Sequence, residues 1–169
     1  MNISLQPWTE EMAPARVPIL NHPDVYRFLA PSLPLPYTLE HSLGYVEVCR
    51  NEGRHDLAIV VDGTPVGSVG IHPRPEADLA EIGYYLDPAR HRQGIMTRAV
   101  ELMLARVPEL MPAVRRVNAH VFDFNPASQA LLRRCGFTLT NKTLIERGRD
   151  GMDHRLLVFE LTLPHSPQA

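Results

Sequence analysis

The sequence is poor in cysteine, has no long apolar run and carries almost no net charge. Its two cysteines, Cys49 and Cys135, fit no metal-ligand spacing and no disulfide framework, which favours the reducing cytoplasm as the compartment. No apolar run approaches the ~20 residues of a membrane helix, and the N-terminus lacks the charged and apolar segments of a signal peptide. Because the net charge is only −2, we expect neither nucleic acid nor a membrane as a partner.

Two nucleotide-binding motifs are also missing. The chain has no Gly-x-Gly-x-x-Gly and no Walker-type Gly-Lys-Ser/Thr, which argues against a nucleotide-binding α/β domain. It also shows no internal repeat and no low-complexity linker. Hydrophobic residues make up 44 % and charged residues 21 %, values typical of a globular protein. The length therefore predicts a single domain over residues 1–169.

The first part of the chain is predicted to hold helices between one strand and a β-meander. Residues 3–8 alternate as a strand, and Thr9 is a candidate N-cap for a short, irregular helix. The prolines between residues 30 and 37 predict an extended loop. Thr38 is a candidate N-cap for a more regular helix, whose predicted apolar face is Leu39, Leu43 and Val46.

A hairpin, a third strand and a long helix follow. Residues 57–71 form the hairpin, because Asp62 and the glycine after it are a two-residue turn signal between apolar segments. Residues 78–86 are the third strand. Apolar residues recur at helical spacing over residues 94–107, and Pro108 is expected to end that helix.

The last part of the chain alternates strands with one further helix. Residues 116–122 predict a strand, Asn125 is a candidate N-cap, and Gly136 is the expected C-terminal cap. A final hairpin is predicted over residues 138–163. This order of elements indicates an α/β protein with a mixed sheet flanked by helices.

The segment between the third strand and the long helix carries the chemical signal. The strand ends at Leu86, a short basic loop follows, and the helix opens near Gly94. Free N–H groups and the helix dipole make such a start an anion site, and Gly94 lets the backbone approach a phosphate closely. Arg92 adds a positive charge, so the geometry suggests a diphosphate ligand. By itself this pattern also fits an ordinary helix start after a basic loop.

The residues around that loop resemble the GNAT superfamily of acyl-CoA N-acyltransferases. The family motif Gln/Arg-x-x-Gly-x-Gly/Ala corresponds to residues 91–96, although His91 and Met96 depart from it. Residues 83–88, Gly-Tyr-Tyr-Leu-Asp-Pro, look like the family's fourth strand, and residues 125–137 look like its second cofactor segment. The resemblance covers nearly the whole chain. Its nearest branch includes the acetyltransferases of ribosomal-protein N-termini (alanine or serine).

The resemblance implies a fold, a donor and a set of donor-binding residues. The fold is a mixed, mostly antiparallel seven-stranded sheet flanked by helices. The donor is acetyl-CoA, no metal is implied, and relatives are commonly homodimers. The residues that correspond to the family's coenzyme A contacts are Tyr85, Leu86, His91, Arg92, Gln93, Gly94, Ile95, Met96, Thr97, Asn125, Ser128 and Arg134.

The base that takes a proton from the acceptor amine has three candidates. Glu81 is the first, because relatives place a carboxylate on this strand that acts through a water. An ion-paired strand glutamate explains Glu81 equally well. His72 and His120, each on a predicted strand, rank below it.

The remaining roles are a donor for the oxyanion and an acid for the leaving thiolate. The resemblance places the oxyanion near a backbone N–H at Leu86, where the fourth strand separates from the fifth. Relatives often use a tyrosine as the acid, but this chain has Leu132 at that position. Ser128 is the substitute we predict, and a helix-capping or solvent-facing hydroxyl is the alternative explanation for it.

Two functions remain open from the sequence. The first is N-acetylation of a primary amine, either a protein N-terminus or a small amine. The second is a non-catalytic acyl-CoA-binding module, in which the missing tyrosine reflects lost chemistry. The acceptor is expected between residues 30–37 and 147–152, where the candidate lining residues are Tyr26, Phe28, Tyr37, His72 and Phe122.

Overall fold

The structure is a computed structural model that describes residues 1–164 of the 169; residues 165–169, the end of the predicted domain, lie outside the described part. The described residues form seven strands and five α-helices. They are β1 (Ile3–Pro7), α1 (Ala13–Leu20), α2 (Pro23–Tyr26), α3 (Leu39–Asn51), β2 (His55–Val61), β3 (Thr64–Pro73), β4 (Leu79–Leu86), α4 (Ile95–Leu110), β5 (Arg116–Phe122), α5 (Pro126–Arg134), β6 (Thr138–Arg147) and β7 (Asp153–Thr162).

The seven strands form one sheet in the order β1-β2-β3-β4-β5-β7-β6. Every neighbouring pair is antiparallel except β4 and β5, which are parallel. The expected mixed, mostly antiparallel seven-stranded sheet is therefore confirmed. None of the helices in residues 1–164 is long and apolar enough to cross a membrane.

The two faces of the sheet are covered by different helices. The main hydrophobic core joins α4 and α5 to one face and includes Ile82, Leu86 and the partly buried Tyr84 of β4. Two smaller clusters join α1, α2 and α3 to the other face, where Tyr85 packs. Because side chains alternate along a strand, Glu81 shares the second face with Tyr85.

The parallel strands β4 and β5 pair over only a short distance. Leu79, Ala80 and Glu81 pair with Arg116, Val117 and Asn118, and no further pair joins these strands within the described residues. Both strands continue beyond that point, β4 to Leu86 and β5 to Phe122. The sheet therefore opens into a gap immediately after Glu81.

The prediction that Pro108 ends the long helix is wrong. Helix α4 continues through Pro108 to Leu110, and the Met111 N–H still donates to the Val107 oxygen at 2.8 Å. Proline lacks the N–H for one helical bond, but Pro108 lies exposed near the end of a 16-residue helix, where one missing bond disturbs little.

The predicted apolar face of α3 is also wrong in part. Thr38 does cap this helix, accepting a hydrogen bond from the His41 N–H at 3.2 Å. However, Leu39 and Leu43 are 46 % and 39 % exposed. The buried side chains of α3 are Ser42, Val46 and Cys49. The inward face is set by docking on α1, where the Ser42 hydroxyl donates to the Ala13 carbonyl at 2.7 Å.

A buried arginine joins α1 to β4. Arg16 is 3 % exposed, and its Nε donates to the Tyr85 hydroxyl at 2.9 Å. Its guanidinium carbon lies 3.5 Å from the ring centroid of Tyr45 and within 5.5 Å of the centroids of Trp8 and Tyr37. No carboxylate pairs with it among residues 1–164. Aromatic faces and one hydroxyl therefore compensate this charge.

We expect Arg16→Ala to destabilise the protein by about 3 kcal/mol, because it leaves a cavity between aromatic rings and removes the hydrogen bond to Tyr85. Urea unfolding followed by circular dichroism measures this. Arg50→Ala is the control, since Arg50 is exposed and only 3.6 Å from Glu10 in a surface ion pair. Equal stabilities of the two variants would show that the arginine cluster contributes little.

Candidate functional site

The start of α4 carries unpaired backbone donors. Arg92 and Gly94 both adopt left-handed backbone, with φ of 60° and 74°. The first helical bond runs from the Arg98 N–H to the Gly94 oxygen at 3.1 Å, and no side chain caps this end within the described chain. The N–H groups of residues 95–97 therefore lack partners in the described structure, and such turns of N–H groups are typical anion sites.

The side chains of this loop leave those donors accessible. His91 Nε2 lies 3.2 Å from the Leu86 carbonyl oxygen, and Gln93 Nε2 donates to the Ala89 oxygen at 3.3 Å. Met96 packs against the main hydrophobic core, away from the loop. A Cβ built on Gly94 would touch no atom within 4 Å. The two departures from the family motif, at residues 91 and 96, therefore do not cover the backbone donors.

The gap beside β4 also presents backbone donors. The Asp87 N–H donates to the Val66 oxygen of β3 at 2.8 Å. Because successive peptide groups of a strand point to opposite sides, the Leu86 N–H is directed away from β3 and into the gap. This is the side on which an oxyanion donor near Leu86 is expected.

On the other side of the gap, α5 begins as predicted. Asn125 caps it by accepting a hydrogen bond from the Ser128 N–H at 3.2 Å. The Ser128 hydroxyl oxygen lies 2.6 Å from that of Tyr84. Leu132, at the position of the relatives' tyrosine, is fully buried in the main core. Arg134 is exposed in the last turn of α5.

Two of the three candidate bases lie together on the opposite face of the sheet. Glu81 Oε1 is 3.7 Å from His120 Nδ1, and Glu81 Oε2 is 3.3 Å from Arg74 Nη1. His72 is instead held by Asp56, whose Oδ1 lies 2.9 Å from its Nε2. The structure therefore places Glu81 and His120 side by side where β4 and β5 separate, whereas His72, the cross-strand neighbour of Glu81 on β3, is engaged by Asp56.

The expected acceptor-lining residues are divided between separate clusters. Phe28 and Phe122 both stack on Phe124, with ring centroids 5.5 and 4.9 Å apart. Tyr37 is buried beside Arg16, in a different part of the same face. No aromatic stacking or hydrogen bond of the Tyr26 side chain is found within the described residues. Of the five predicted residues, Phe28 and Phe122 are thus the ones that share an aromatic cluster.

The two loops that were expected to flank the acceptor contact each other directly. Arg149 Nη2, in the turn between β6 and β7, donates to the carbonyl oxygens of Ala30 and Leu33, each at 2.7 Å. The same turn is stabilised by His154 Nε2, which lies 2.7 Å from Asp150 Oδ2. These contacts hold the β6–β7 turn against the loop that follows α2.

Two residues near the site were not predicted as functional, Tyr84 and Phe124. The alternation of β4 was sufficient to separate its two tyrosines. Tyr84 has the same parity as Leu86 and faces α4 and α5, whereas the Tyr85 side chain faces Arg16. Only the backbone of Tyr85 is therefore available to a ligand in the gap. No sequence signal indicated Phe124.

A sheet that opens between parallel β4 and β5, beside a helix start with unpaired N–H groups, is the arrangement of a coenzyme A-dependent acyltransferase. The family profile described as the acetyltransferase (GNAT) domain matches residues 2–138. The chain therefore belongs to the GNAT acetyltransferase family.

Solved structures agree with this assignment. The chain is similar to RimL, a ribosomal alpha-N-protein acetyltransferase solved with coenzyme A, at 21 % identity and a TM-score of 0.82, covering 96 % of this chain and 95 % of that one. It is similar to a ribosomal-protein-alanine N-acetyltransferase from Brucella melitensis at 25 % identity and a TM-score of 0.77, covering 96 % of this chain and 100 % of that one. It is also similar to MccE, a microcin self-immunity acetyltransferase solved in complex with acetyl-CoA and AMP. The identity is 21 % and the TM-score 0.82, and the match covers 95 % of this chain and 92 % of that one. Comparison with curated protein sequences finds no match.

Proposed function

We propose that the protein transfers the acetyl group of acetyl-CoA directly to a primary amine. The observation that carries this proposal is the position of Glu81, the last residue of β4 that pairs with β5. A carboxylate beside His120 lies at the point where the sheet opens, and α4, whose first N–H groups are unpaired in the described structure, packs on the opposite face of the sheet. An amine bound over Glu81 therefore meets a thioester held in the gap.

The donor is held mainly by backbone. The N–H groups of the α4 start bind the pyrophosphate, and Arg92, which has no partner in residues 1–164, supplies a positive charge. Asn125 and Ser128 approach the donor from α5, and Arg134 is a candidate contact for the 3′-phosphate. The proposed donor-binding set is Tyr85 and Leu86 through their backbone, together with His91, Arg92, Gln93, Gly94, Ile95, Met96, Thr97, Asn125, Ser128 and Arg134.

Three groups of the chain share the chemistry. Glu81 takes the amine proton, directly or through a water, so that the nitrogen lone pair is free to attack. The Leu86 N–H stabilises the negative charge that develops on the carbonyl oxygen. Ser128 gives a proton to sulfur as the carbon–sulfur bond breaks. Because Ser128 lies in the first turn of α5, the helix dipole also favours a thiolate there.

A protein N-terminus is the first acceptor to test. The ribosomal-protein acetyltransferases to which the chain is similar support this choice, and small amines such as polyamines, amino sugars or amino acids are the alternative. We further propose that residues 1–169 form one domain. The free cysteines Cys49 and Cys135 suit a cytoplasmic location. A homodimer stays an expectation from the resemblance, to be checked by light scattering.

The proposal is tested by turnover of acetyl-CoA with a panel of amines. We expect thiol release with at least one class, peptides beginning with alanine or serine first, and a mass increase of the acceptor that identifies N-acetylation. Peptides with a blocked N-terminus are the matched control. Coenzyme A binding without turnover of any amine would instead support the non-catalytic acyl-CoA-binding module, which the buried Leu132 at the tyrosine position favours.

A further inference from the structure

We propose that Tyr84 is a positioning residue that orients the Ser128 hydroxyl for protonation of the leaving thiolate. The inference rests on the proposed role of Ser128 as the acid. Its basis is the distance of 2.6 Å between the hydroxyl oxygens of Tyr84 and Ser128. Among the side-chain hydrogen bonds of residues 1–164, this is the one that joins β4 to α5 across the gap.

The two hydroxyls differ in acidity, which decides the direction of this hydrogen bond. A phenol is a stronger acid than an aliphatic alcohol, so the Tyr84 O–H donates and the Ser128 oxygen accepts. Burial raises the pKa of Tyr84 to about 12, against the opposing effect of the Ser128 hydrogen bond, so the phenol keeps its proton at neutral pH. The hydrogen of Ser128 is then left free to point into the gap.

The backbone of Ser128 is fixed as well. Asn125 accepts from the Ser128 N–H at 3.2 Å, and Pro126 sets the first helical residue of α5. Tyr84 itself packs on the main core through its ring. The serine hydroxyl is therefore held from both sides, by its own helix cap and by a rigid aromatic side chain of the strand that borders the gap.

The proton balance of the reaction defines what Tyr84 contributes. Glu81 takes one proton from the ammonium form of the acceptor and passes it to solvent, and the freed lone pair forms the carbon–nitrogen bond. The nitrogen loses its second proton to solvent as the amide forms. The carbon–sulfur bond breaks, its electron pair stays on sulfur, and Ser128 transfers its proton there. The Tyr84 hydrogen bond stabilises the negative charge left on the Ser128 oxygen, which then regains a proton from solvent. Tyr84 does not contact the donor in this scheme; it acts through Ser128.

The kinetic test uses Tyr84→Phe, which removes only the hydroxyl. We expect kcat to fall about tenfold while the KM values for acetyl-CoA and amine stay within about twofold, because a neutral hydrogen bond contributes at this scale. Ser128→Ala is expected to lower kcat about 100-fold. The double variant should match Ser128→Ala, since Tyr84 has no effect without the serine.

A second readout does not depend on turnover. Calorimetry compares coenzyme A with desulfo-coenzyme A, which lacks the sulfur, at pH 8.5, where thiols begin to ionise. We expect wild type to prefer coenzyme A about tenfold, and both Tyr84→Phe and Ser128→Ala to reduce that preference to about threefold or less. Tyr45→Phe is the control, because Tyr45 is a partly buried tyrosine beside Arg16 on the other face of the sheet, and it should keep the full preference.

The outcomes separate the inference from the function on which it rests. If Ser128→Ala loses both activity and the sulfur preference while Tyr84→Phe behaves as wild type, the role of Tyr84 is refuted and the serine acid stands. If Ser128→Ala also behaves as wild type, the acid assignment and the Tyr84 inference fail together, and acetyl transfer itself is retained as long as amines are turned over.

Discussion

Gly94→Asp is expected to weaken coenzyme A binding by about 100-fold. The new carboxylate would lie beside the unpaired N–H groups of residues 95–97, where the pyrophosphate is proposed to bind. Two like charges about 4 Å apart repel by several kcal/mol at the effective dielectric constant of a protein surface, which is enough for a loss of this size. Isothermal calorimetry with coenzyme A measures the effect directly and needs no acceptor amine.

Gly94→Asn is the matched control for this substitution. Asparagine has the same shape as aspartate, and both residues tolerate the left-handed backbone that Gly94 adopts, with φ of 74°. A Cβ at this position meets no atom within 4 Å, so neither variant clashes with the protein itself. We expect Gly94→Asn to weaken coenzyme A binding by about tenfold or less. The difference in affinity between the two variants should shrink in high salt, which screens the charge of the aspartate. Equal affinities in all three proteins would show that the pyrophosphate binds elsewhere.

Features specified by neighbouring residues were predictable from the sequence, as α5 shows. Asn125 and Gly136 bracket that helix because a cap needs only a side-chain acceptor at one end and a left-handed residue at the other. The turn at Asp62 and Gly63 is specified in the same local way, with φ of 48° and 84°. Such signals need no knowledge of the rest of the fold.

Features that depend on distant packing were not predictable. Arg16 and Tyr85 are 69 residues apart, and no local pattern pairs them. The buried face of α3 is decided by its contact with α1, so Leu39 and Leu43 remain exposed despite their helical spacing. The role proposed for Tyr84 depends on a hydrogen bond to Ser128 over a separation of 44 residues. Sequence spacing alone predicts none of these three contacts.

The candidate bases show what the structure adds to the sequence. The sequence left Glu81, His72 and His120 open. The structure brings Glu81 and His120 within 3.7 Å and holds His72 on Asp56, 2.9 Å away. Both histidines therefore neighbour Glu81, since His72 is its cross-strand partner on β3. A substitution at Glu81 tests whether the carboxylate itself is the base.

Glu81→Gln is expected to lower kcat about 100-fold at neutral pH, within the usual contribution of a general base, and to leave the affinity for acetyl-CoA near that of wild type. The pH of maximal rate should rise, because an alkylamine with a pKa of ~10 must then lose its proton in solution before it can attack. Steady-state rates between pH 6 and 10 with a fixed amine measure both effects. The loss should therefore shrink as the pH rises and free amine accumulates.

Glu160→Gln is the matched control, because Glu160 lies on the same face of the sheet and resembles Glu81 in its surroundings. Its side chain is 26 % exposed against 29 % for Glu81, and it pairs with Arg116 at 3.5 Å as Glu81 pairs with Arg74 at 3.3 Å. We expect its kcat to change by about twofold or less. If Glu81→Gln behaved in the same way, Glu81 would be an ion-paired strand residue, and His120→Asn would then be expected to produce the loss. Loss in both the Glu81 and His120 variants, with recovery at high pH, would show that the two side chains act as one base.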